Sequence, residues 1–426
     1  MSRARQKKKP SIMFKRLGDF ENAMGQIEAE RGPDGSINLP QVTISDLAFS
    51  VVSLFTYAGD WASDIYVAWY HWNRNEFLPA VLSILTFAML PSILLNVLGL
   101  GWWIQKRRKS PSGLQCSKMV VFRFVASLCQ LGPVLYHLDS LYLGLKYRRF
   151  RGHMTERDAK QLYLNMLQAD RDATLLRLFE AFLESAPQLI IQSYLVLSAI
   201  YPEAAYSNGH SVEPKGEQRL LVQFISVFFS LGAMSWALVS EHRCLRFARE
   251  DKQDMGWWGS ICQFLWRICT ISARVIAITL FTKLFGSKII LFIAMHFIGS
   301  LIYLALCQNI DLSGHLCLET MVTLIAAFVH LFTPFNMTEG DTRWRYLYCY
   351  TVEFLENFCL FVACFVLDSD NITFKIYTCL VSVLCFTAGI AFLAVYYSYL
   401  HPNLRSLSRY VAHRGDSDGD IEDSGA

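Results

Sequence analysis

Five stretches of this chain contain no Asp, Glu, Lys or Arg, and they constrain the fold more than any other feature. They are Phe77–Gln105, Leu220–Ser240, Ile289–Ile310, Thr320–Thr338 and Ile376–Leu404. A bilayer core about 30 Å thick needs roughly 20 apolar residues in a spanning helix, because each residue rises about 1.5 Å. Charged residues make up 18% of the sequence, against about 25% in an average soluble protein. The sequence therefore predicts an all-α polytopic membrane protein and excludes a soluble enzyme, a nucleic-acid-binding protein and a secreted disulfide scaffold.

The chain divides into three regions by composition. Residues 1–43 form a basic N-terminal segment, residues 44–403 a helical transmembrane domain, and residues 404–426 a flexible tail that turns acidic from Asp416 onward. Neither end has enough apolar residues to build a core. Ten apolar or semi-apolar segments lie between the ends, near residues 44–70, 77–103, 119–145, 174–200, 219–241, 257–284, 288–308, 316–333, 346–367 and 374–400.

Basic loops indicate which side of the membrane a segment end faces, because Lys and Arg are enriched in cytoplasmic loops. The N-terminal segment and Lys106–Lys109 are both basic, which fits two crossings before residue 106. Lys146–Arg151 is also basic, yet only segment 119–145 separates it from the previous basic loop. A break at Gly132-Pro133 near the middle of that segment favours a re-entrant hairpin that returns to its own side.

The same argument applies to the second half of the chain. His242–Lys252 and the C-terminal tail are both basic enough to be cytoplasmic, and five segments separate them. One of the five therefore does not cross, and we assign this role to the short segment 316–333, which ends at Thr333-Pro334. The expected total is about eight transmembrane helices plus two re-entrant half-membrane segments, with both termini cytoplasmic.

The first segment carries three carboxylates on one face. Asp46, Ser53, Tyr57, Asp60 and Asp64 are spaced so that, at about 100° per residue, they fall within about 60° of one another. An ionisable group inside a membrane segment costs roughly 2.5–3.5 kcal/mol on insertion scales, so each one needs a partner, water or a function. Cations must therefore face this stripe, or some of its carboxyls must be protonated.

Segment 174–200 supplies a second polar stripe. Its residues follow steps of three and four and are Arg177, Glu180, Glu184 and Gln188, with Gln192 following. Pro187 lies within the stripe and removes one backbone hydrogen bond, which exposes the carbonyl of Leu183. The candidate counter-charges are Arg267 and Arg274, seven residues apart, and Arg123, which shares segment 119–145 with Asp139.

Two interpretations of the stripes stay open at this point. A buried ion-pair network would only fix how the helices dock, whereas a hydrated seam would form a path for charged substrate groups, and both can hold together. The sequence contains no nucleotide-binding loop and no cluster of His and Cys with zinc spacing, and we interpret the i,i+4 set Asp311, His315 and Glu319 as polarity at a membrane edge. We therefore expect no metal, no other cofactor and no catalytic residues.

The run Glu184-Ser-Ala-Pro-Gln-Leu-Ile-Ile-Gln-Ser-Tyr194 resembles the signature of the XK-related membrane proteins. The signature residues are Glu184, Ser185, Pro187, Gln188 and Gln192. The acidic first segment and the basic loop after the second agree with this resemblance, which covers roughly residues 40–400. It implies a fold of eight spans with two half-membrane segments.

The resemblance also implies a function, because several members are caspase-activated phospholipid scramblases that expose phosphatidylserine on dying cells. A caspase needs an Asp-x-x-Asp site before a small residue, and Asp420 to Asp423 followed by Ser424 has that form. A cut there would remove only three residues, so we interpret this match as a coincidence in an acidic tail.

We therefore expect a plasma-membrane scramblase that moves phospholipids downhill without ATP. The predicted headgroup path consists of Asp46, Asp60, Asp64, Arg123, Asp139, Glu180, Glu184, Gln188, Arg267 and Arg274. One alternative is a membrane receptor or subunit that docks a lipid-transfer protein or a single-span partner, as the founding member of the family does. A lower-ranked alternative is an ion or solute transporter that uses the carboxylates as cation sites. Membrane phospholipids are the expected ligands, and no nucleic acid is expected.

Overall fold

A computed structural model describes residues 42–73, 91–104, 117–200, 215–247, 255–308, 316–335 and 342–401, apart from residues 98, 102, 130 and 369. Every regular element in these ranges is helical, which confirms the all-α prediction. The helices are α1 (Ile44–Trp72), α2 (Ser117–Leu128), α3 (Gly132–Phe150), α4 (Glu156–Glu180), α5 (Ala186–Ile200), α6 (Lys215–Phe247), α7 (Trp257–Phe285), α8 (Ile289–Tyr303), α9 (Leu316–His330), α10 (Thr342–Leu367) and α11 (Ile372–Val395).

Shorter elements extend or separate these helices. A 3-10 turn follows α3 at Arg151–His153, and a five-residue π-helical turn joins α4 to α5 at Ala181–Ser185. Two further π-helical turns extend α8 at Leu304–Gln308 and α11 at Tyr396–Leu400. A helical stretch also runs through part of residues 91–104.

Among the described residues, four helical regions are long and apolar enough to cross a bilayer by length and composition. They are Leu220–Cys244, Trp257–Cys307, Trp344–Leu367 and Ile372–Leu400. The second region contains two helices, because a 3-10 turn at Gly286–Lys288 separates α7 from α8, with φ 58° at Gly286. Both helices were expected as separate segments. Large apolar side chains on α8 and α11, such as Leu291 and Leu380, are exposed, as a lipid-facing helix requires.

The break predicted in segment 119–145 is present. The helix α2 ends at Leu128 and α3 begins at Gly132, with its N-terminus held by the bond from Gly132 N to Asn96 Oδ1 at 2.7 Å. The 12 residues of α2 would span only about 18 Å, and the 15 residues of α9 about 22 Å. Both lengths fit half-membrane segments; the count of eight spans and the re-entrant paths stay predictions.

The chain forms two compact units. Among the described residues, the first unit contains 42–192, 217–273 and 383–401, and the second contains 193–200, 215–216 and 274–382. In the first unit, Asp170 on α4 accepts hydrogen bonds from Ser140 on α3 at 3.1 Å and from Ser50 on α1 at 3.5 Å. This carboxyl therefore joins three helices, and α3 and α4 also pack through the rings of Tyr147 and Tyr163, 5.3 Å apart.

A close approach of α7 and α11 in the first unit generates a prediction. A Cβ added to Gly389 would lie 2.6 Å from Thr270 Cγ2 and 3.2 Å from Thr270 N. Since overpacking costs about 1–3 kcal/mol, Gly389→Ala should lower the midpoint of thermal unfolding of the purified full chain. The control is Gly232→Ala on α6, where an added Cβ meets no atom within 4 Å and the midpoint should hold or rise. Equal midpoints for the two variants would contradict the described contact.

Candidate functional site

The polar stripe of α1 is buried in the first unit. Ser53, Tyr57, Asp60 and Asp64 are each between 2% and 6% exposed, although the opposite face of the helix is apolar and exposed. The spacing therefore placed these four side chains on one face correctly. Asp46 continues this face at the N-terminus of α1, where it closes the capping box with Thr43 and forms an ion pair with Arg243 of α6.

Helix α6 supplies hydrogen-bond donors along this stripe. Ser226 Oγ donates to Asp64 Oδ1 at 3.0 Å, and Ser230 Oγ donates to Asp60 Oδ1 at 2.8 Å. Closer to the C-terminus of α6, Trp236 Nε1 donates to Ser53 Oγ at 2.9 Å. The ion pair of Arg243 with Asp46 is the last of these contacts. Residue numbers rise on α6 as they fall on α1, so the two helices run antiparallel with matched polar faces.

The family-signature residues lie at the connection between α4 and α5. Ala181–Ser185 is a π-helical turn, and Pro187 follows it without an N–H to bond to the carbonyl four residues earlier. Turns of this type occur frequently at functional sites. Ser185 Oγ donates to Asp60 Oδ2, so the turn is attached directly to the α1 stripe. The side chains of Glu184, Gln188 and Gln192 are all buried.

Arg177 is the cation at the centre of these side chains and is 1% exposed. Its Nη1 donates to Glu180 Oε2 at 3.0 Å, and its guanidinium lies 5.3 Å from the ring centroid of Tyr57. It also interacts electrostatically with Asp60 and Glu184. We call Asp60, Asp64, Glu180 and Glu184, together with Arg177, the carboxylate cluster.

The carboxylate cluster has an excess of acidic groups. The cluster contains four carboxyls and one guanidinium, so with every group ionised its formal charge would be −3, and Glu184 interacts with each of the other three carboxyls. An unpaired charge is costly to bury. The cluster therefore either holds protons or accepts positively charged groups from outside the protein.

Several buried polar atoms in and near the cluster have no hydrogen-bond partner within the part of the chain that the structure describes. They include Nε and Nη2 of Arg177, Oε2 of Glu184, and both side-chain polar atoms of Gln192 on α5 and of Gln223 on α6. Gln192 and Gln223 are fully buried. Buried polar groups are hydrogen-bonded in about nine cases out of ten. These donors and acceptors can therefore serve a polar ligand or water.

Arg123 and Asp139 form an ion pair with each other, in a separate pocket of the first unit. The guanidinium of Arg123 lies 4.9 Å from the ring centroid of Trp103 and 5.8 Å from that of Tyr136. These two predicted path residues thus meet, but Arg123 takes its carboxylate from Asp139 rather than from the α1 stripe.

The structure describes both predicted counter-charges on α7, and it places Arg274 against a carboxylate outside the α1 stripe. Arg267 is buried with its guanidinium 4.3 Å from the ring centroid of Trp266. Arg274, fully buried in the second unit, forms an ion pair with Glu356 and donates to Asn357 Oδ1 at 2.8 Å and to Leu331 O at 2.9 Å. The expected pairing of Arg274 with the stripe carboxylates is therefore corrected, because a seven-residue spacing fixes a helix face but not which helix packs against it.

The second unit contains polar residues that the sequence analysis missed. Nδ1 of His296 lies 2.9 Å from both carboxylate oxygens of Glu356, and its Nε2 lies 3.0 Å from His330 O. The sequence does contain a signal for this polar site, since Glu353, Glu356 and Asn357 follow a helical spacing inside the apolar segment 346–367. Charges in such a segment require partners.

The sequence model of the family described as XK-related protein matches residues 48–402. The chain belongs to the XK-related family. It is 36% identical over 370 residues to Cell death abnormality protein 8 of Caenorhabditis elegans, covering 83% of this chain and 78% of that protein. The protein of the same name from Caenorhabditis briggsae is 35% identical over 366 residues, covering 83% and 77%.

Family membership and the long apolar helices establish a multi-pass membrane protein. As an XK-related protein, the chain carries its signature residues on the π-helical turn and on α5, against the α1 carboxylates. The caspase-type sequence at Asp420 and Asp423, the basic residues of the N-terminal segment and the acidic tail lie outside the described residues.

The pairing of Arg177 with Glu180 generates a second prediction. Removing one partner of a buried ion pair costs about 3–5 kcal/mol, so Arg177→Gln should strongly lower the midpoint of thermal unfolding measured by tryptophan fluorescence. Adding Glu180→Gln should recover part of that loss, because it removes one uncompensated carboxyl.

The control is the pair of Arg171 and Asp172 on the same helix, whose side chains are 19% and 20% exposed. Adjacent residues on a helix do not face each other, so coupling between Arg171→Gln and Asp172→Asn should be weaker, at about 0–1 kcal/mol. If the effects of Arg177→Gln and Glu180→Gln simply add, Arg177 is not the counter-charge of the cluster.

Proposed function

We propose that this XK-related protein is a phospholipid scramblase, which moves phospholipids between the leaflets of the plasma membrane downhill and without ATP. The observation that carries the proposal is the carboxylate cluster, with unsatisfied polar atoms beside it, on helices of a multi-pass membrane protein. The barrier to lipid movement between leaflets is the loss of water around the headgroup in the apolar core. A buried polar surface lowers that barrier by replacing the lost water.

The charge of the cluster favours headgroups that carry an ammonium group. In phosphatidylcholine, phosphatidylethanolamine and phosphatidylserine, this group would lie against the excess carboxylates Asp64 and Glu184. The phosphate would interact with Arg177, since guanidinium groups bind phosphate oxygens through paired hydrogen bonds. The acyl chains would stay in lipid against apolar faces such as that of α1, where Phe55 is 68% and Ile65 is 47% exposed.

We place this activity in dying cells, with exposure of phosphatidylserine as its outcome. The support is that two relatives sharing about a third of their residues with this chain are named for abnormalities of cell death. On this proposal both termini face the cytoplasm, and lipid movement follows the existing concentration gradient.

An exposed polar turn favours a second candidate function, which is docking of a lipid-transfer protein or a single-span membrane partner. From the last turn of α3 to the first turn of α4, the side chains from Arg148 to Asp158 are mostly exposed, and about half of them are charged. Affinity capture from native membranes distinguishes this candidate. It predicts a stoichiometric partner that is lost with the substitutions Arg149→Glu and Arg157→Glu.

The scramblase proposal is tested with the full chain reconstituted into vesicles that contain acyl-labelled fluorescent phospholipids. Dithionite added outside bleaches the outer leaflet, so further bleaching reports lipid movement. Glu184→Gln keeps the shape of the side chain but removes its charge, and it should slow movement of phosphatidylcholine and phosphatidylserine about tenfold, which corresponds to about 1.4 kcal/mol.

The matched control is Glu156→Gln, which removes an exposed carboxylate from the N-terminus of α4 and should leave the rate unchanged. No lipid movement by the wild-type protein, either before or after limited proteolysis, would contradict the scramblase proposal. Movement at the wild-type rate in Glu184→Gln would contradict the role of the cluster.

A further inference from the structure

A pocket of about 640 Å³ lies in the second unit, between α8, α10 and the C-terminal end of α9. Its volume is within the range of small-molecule sites. Most of its wall is apolar or aromatic, and the wall includes the exposed side chains of Leu291, Met295 and Leu355. Because exposed apolar side chains on such helices face lipid, a ligand can enter the pocket from the membrane. The pocket shares no residue with the carboxylate cluster.

The cations beside this pocket are already bonded to acceptors of the protein. Arg274 is fully buried, and its Nε, Nη1 and Nη2 all donate hydrogen bonds, the last of them to Glu356. Both ring nitrogens of His296 are also in contact with acceptors, namely the carboxylate of Glu356 and the carbonyl of His330. A phosphate needs strong donors that are not already engaged. The pocket therefore does not suit a phospholipid headgroup.

The polar part of the wall is acidic and aromatic. Glu353 and Glu356 lie one turn apart on α10, and both line the pocket. The ring of Tyr303 stacks on that of Tyr348 with their centroids 5.8 Å apart, and the ring of His330 lies 5.7 Å from Tyr303. Carboxylates and aromatic faces both attract ammonium groups. This wall is complementary to a cation.

We propose that the pocket binds an amphiphilic amine, which is a molecule with one protonated amino group on an apolar alkyl or aryl body. The ammonium group lies against Glu353 and Glu356 and beside the ring of Tyr303. The apolar body fills the rest of the pocket toward Leu291 and Met295.

The geometry of His296 shows that a cation already occupies this region. Its Nδ1 lies 2.9 Å from both carboxylate oxygens of Glu356, and its Nε2 lies 3.0 Å from His330 O. A neutral imidazole has only one N–H for these two contacts, and Arg274 Nη2 is farther from Nδ1, at 3.4 Å. The pair of His296 and Glu356 therefore holds one additional proton. With this proton the pair is neutral, and the charges of Arg274 and Glu353 balance.

Binding of the amine exchanges this proton for an ammonium group. Since an excess charge is costly to bury, the proton leaves His296 for water as the amine enters. The other charged and titratable groups around the pair, among the residues that the structure describes, are Arg274 of α7, Tyr303 of α8, His330 of α9, and Tyr348, Cys349, Glu353 and Cys359 of α10.

The site is tested by equilibrium dialysis of tritiated 6-phenylhexylamine against the full chain in nanodiscs, with empty nanodiscs as the blank. Glu353→Gln should weaken binding at least tenfold. Asp370→Asn, which removes an exposed carboxylate of the same unit outside the pocket, should not change it. The uncharged 6-phenylhexanol should displace the amine at least tenfold less well than unlabelled amine does. Unchanged binding in Glu353→Gln, or equal displacement by the alcohol, would overturn the proposal.

A second variant keeps the test valid if Glu353→Gln does not fold, which thermal unfolding checks. Tyr303→Leu keeps an apolar side chain but removes the ring beside the ammonium group, and it should also weaken binding of the amine. Unchanged binding in this variant would likewise overturn the proposal.

The proton exchange has its own readout. An alkylamine stays protonated at both pH 6 and pH 8, so at least threefold tighter binding at pH 8 reports release of the proton from the pair. His296→Gln can donate to Glu356 without taking up a proton, and it should bind equally at both pH values and more tightly than wild type at pH 6. Binding to the wild-type chain that does not change with pH would contradict the exchange. These measurements do not involve the carboxylate cluster, so their failure is distinct from failure of the scramblase proposal.

Discussion

Charge buried in a membrane segment must be compensated, and the first unit is organised around that constraint. Arg177 lies among Asp60, Glu180 and Glu184, and all four side chains are buried, so their charges act on one another inside the protein. The π-helical turn and Ser230 of α6 donate hydrogen bonds to Asp60. The relative positions of α1, α4 and α6 follow from these contacts, because α4 and α6 contribute the charge and the donors that the carboxyls of α1 need.

The negative charge of the carboxylate cluster is only partly compensated within the protein, and the proposed function depends on this excess. A purely structural ion-pair network would balance its charges and satisfy its donors and acceptors. Here the carboxyls outnumber the guanidinium, and among the described residues Gln192 and Gln223 have buried amides without hydrogen-bond partners. On the proposed function, this imbalance connects packing to lipid movement, since the ammonium group of a phospholipid headgroup would supply the missing interactions.

The sequence predicts helix positions and helix faces better than it predicts partners. Long apolar stretches locate the helices, and the spacing of Asp60 and Asp64 identifies the buried face of α1, because both follow from helical geometry alone. The serine face of α6 escaped prediction because Ser226 and Ser230 carry no charge and do not stand out in an apolar segment. Arg274 was assigned to the wrong carboxylates because partner choice depends on tertiary packing, which spacing along one helix does not determine.

The central claim is that phospholipid headgroups enter the carboxylate cluster. Electron cryo-microscopy of the full chain in nanodiscs of phosphatidylcholine and phosphatidylserine tests it most directly. The account predicts headgroup or water density within about 3.2 Å of Glu184 Oε2 and of the amides of Gln192 and Gln223. Protein groups that satisfy all of these atoms, with no polar density beside them, would contradict it.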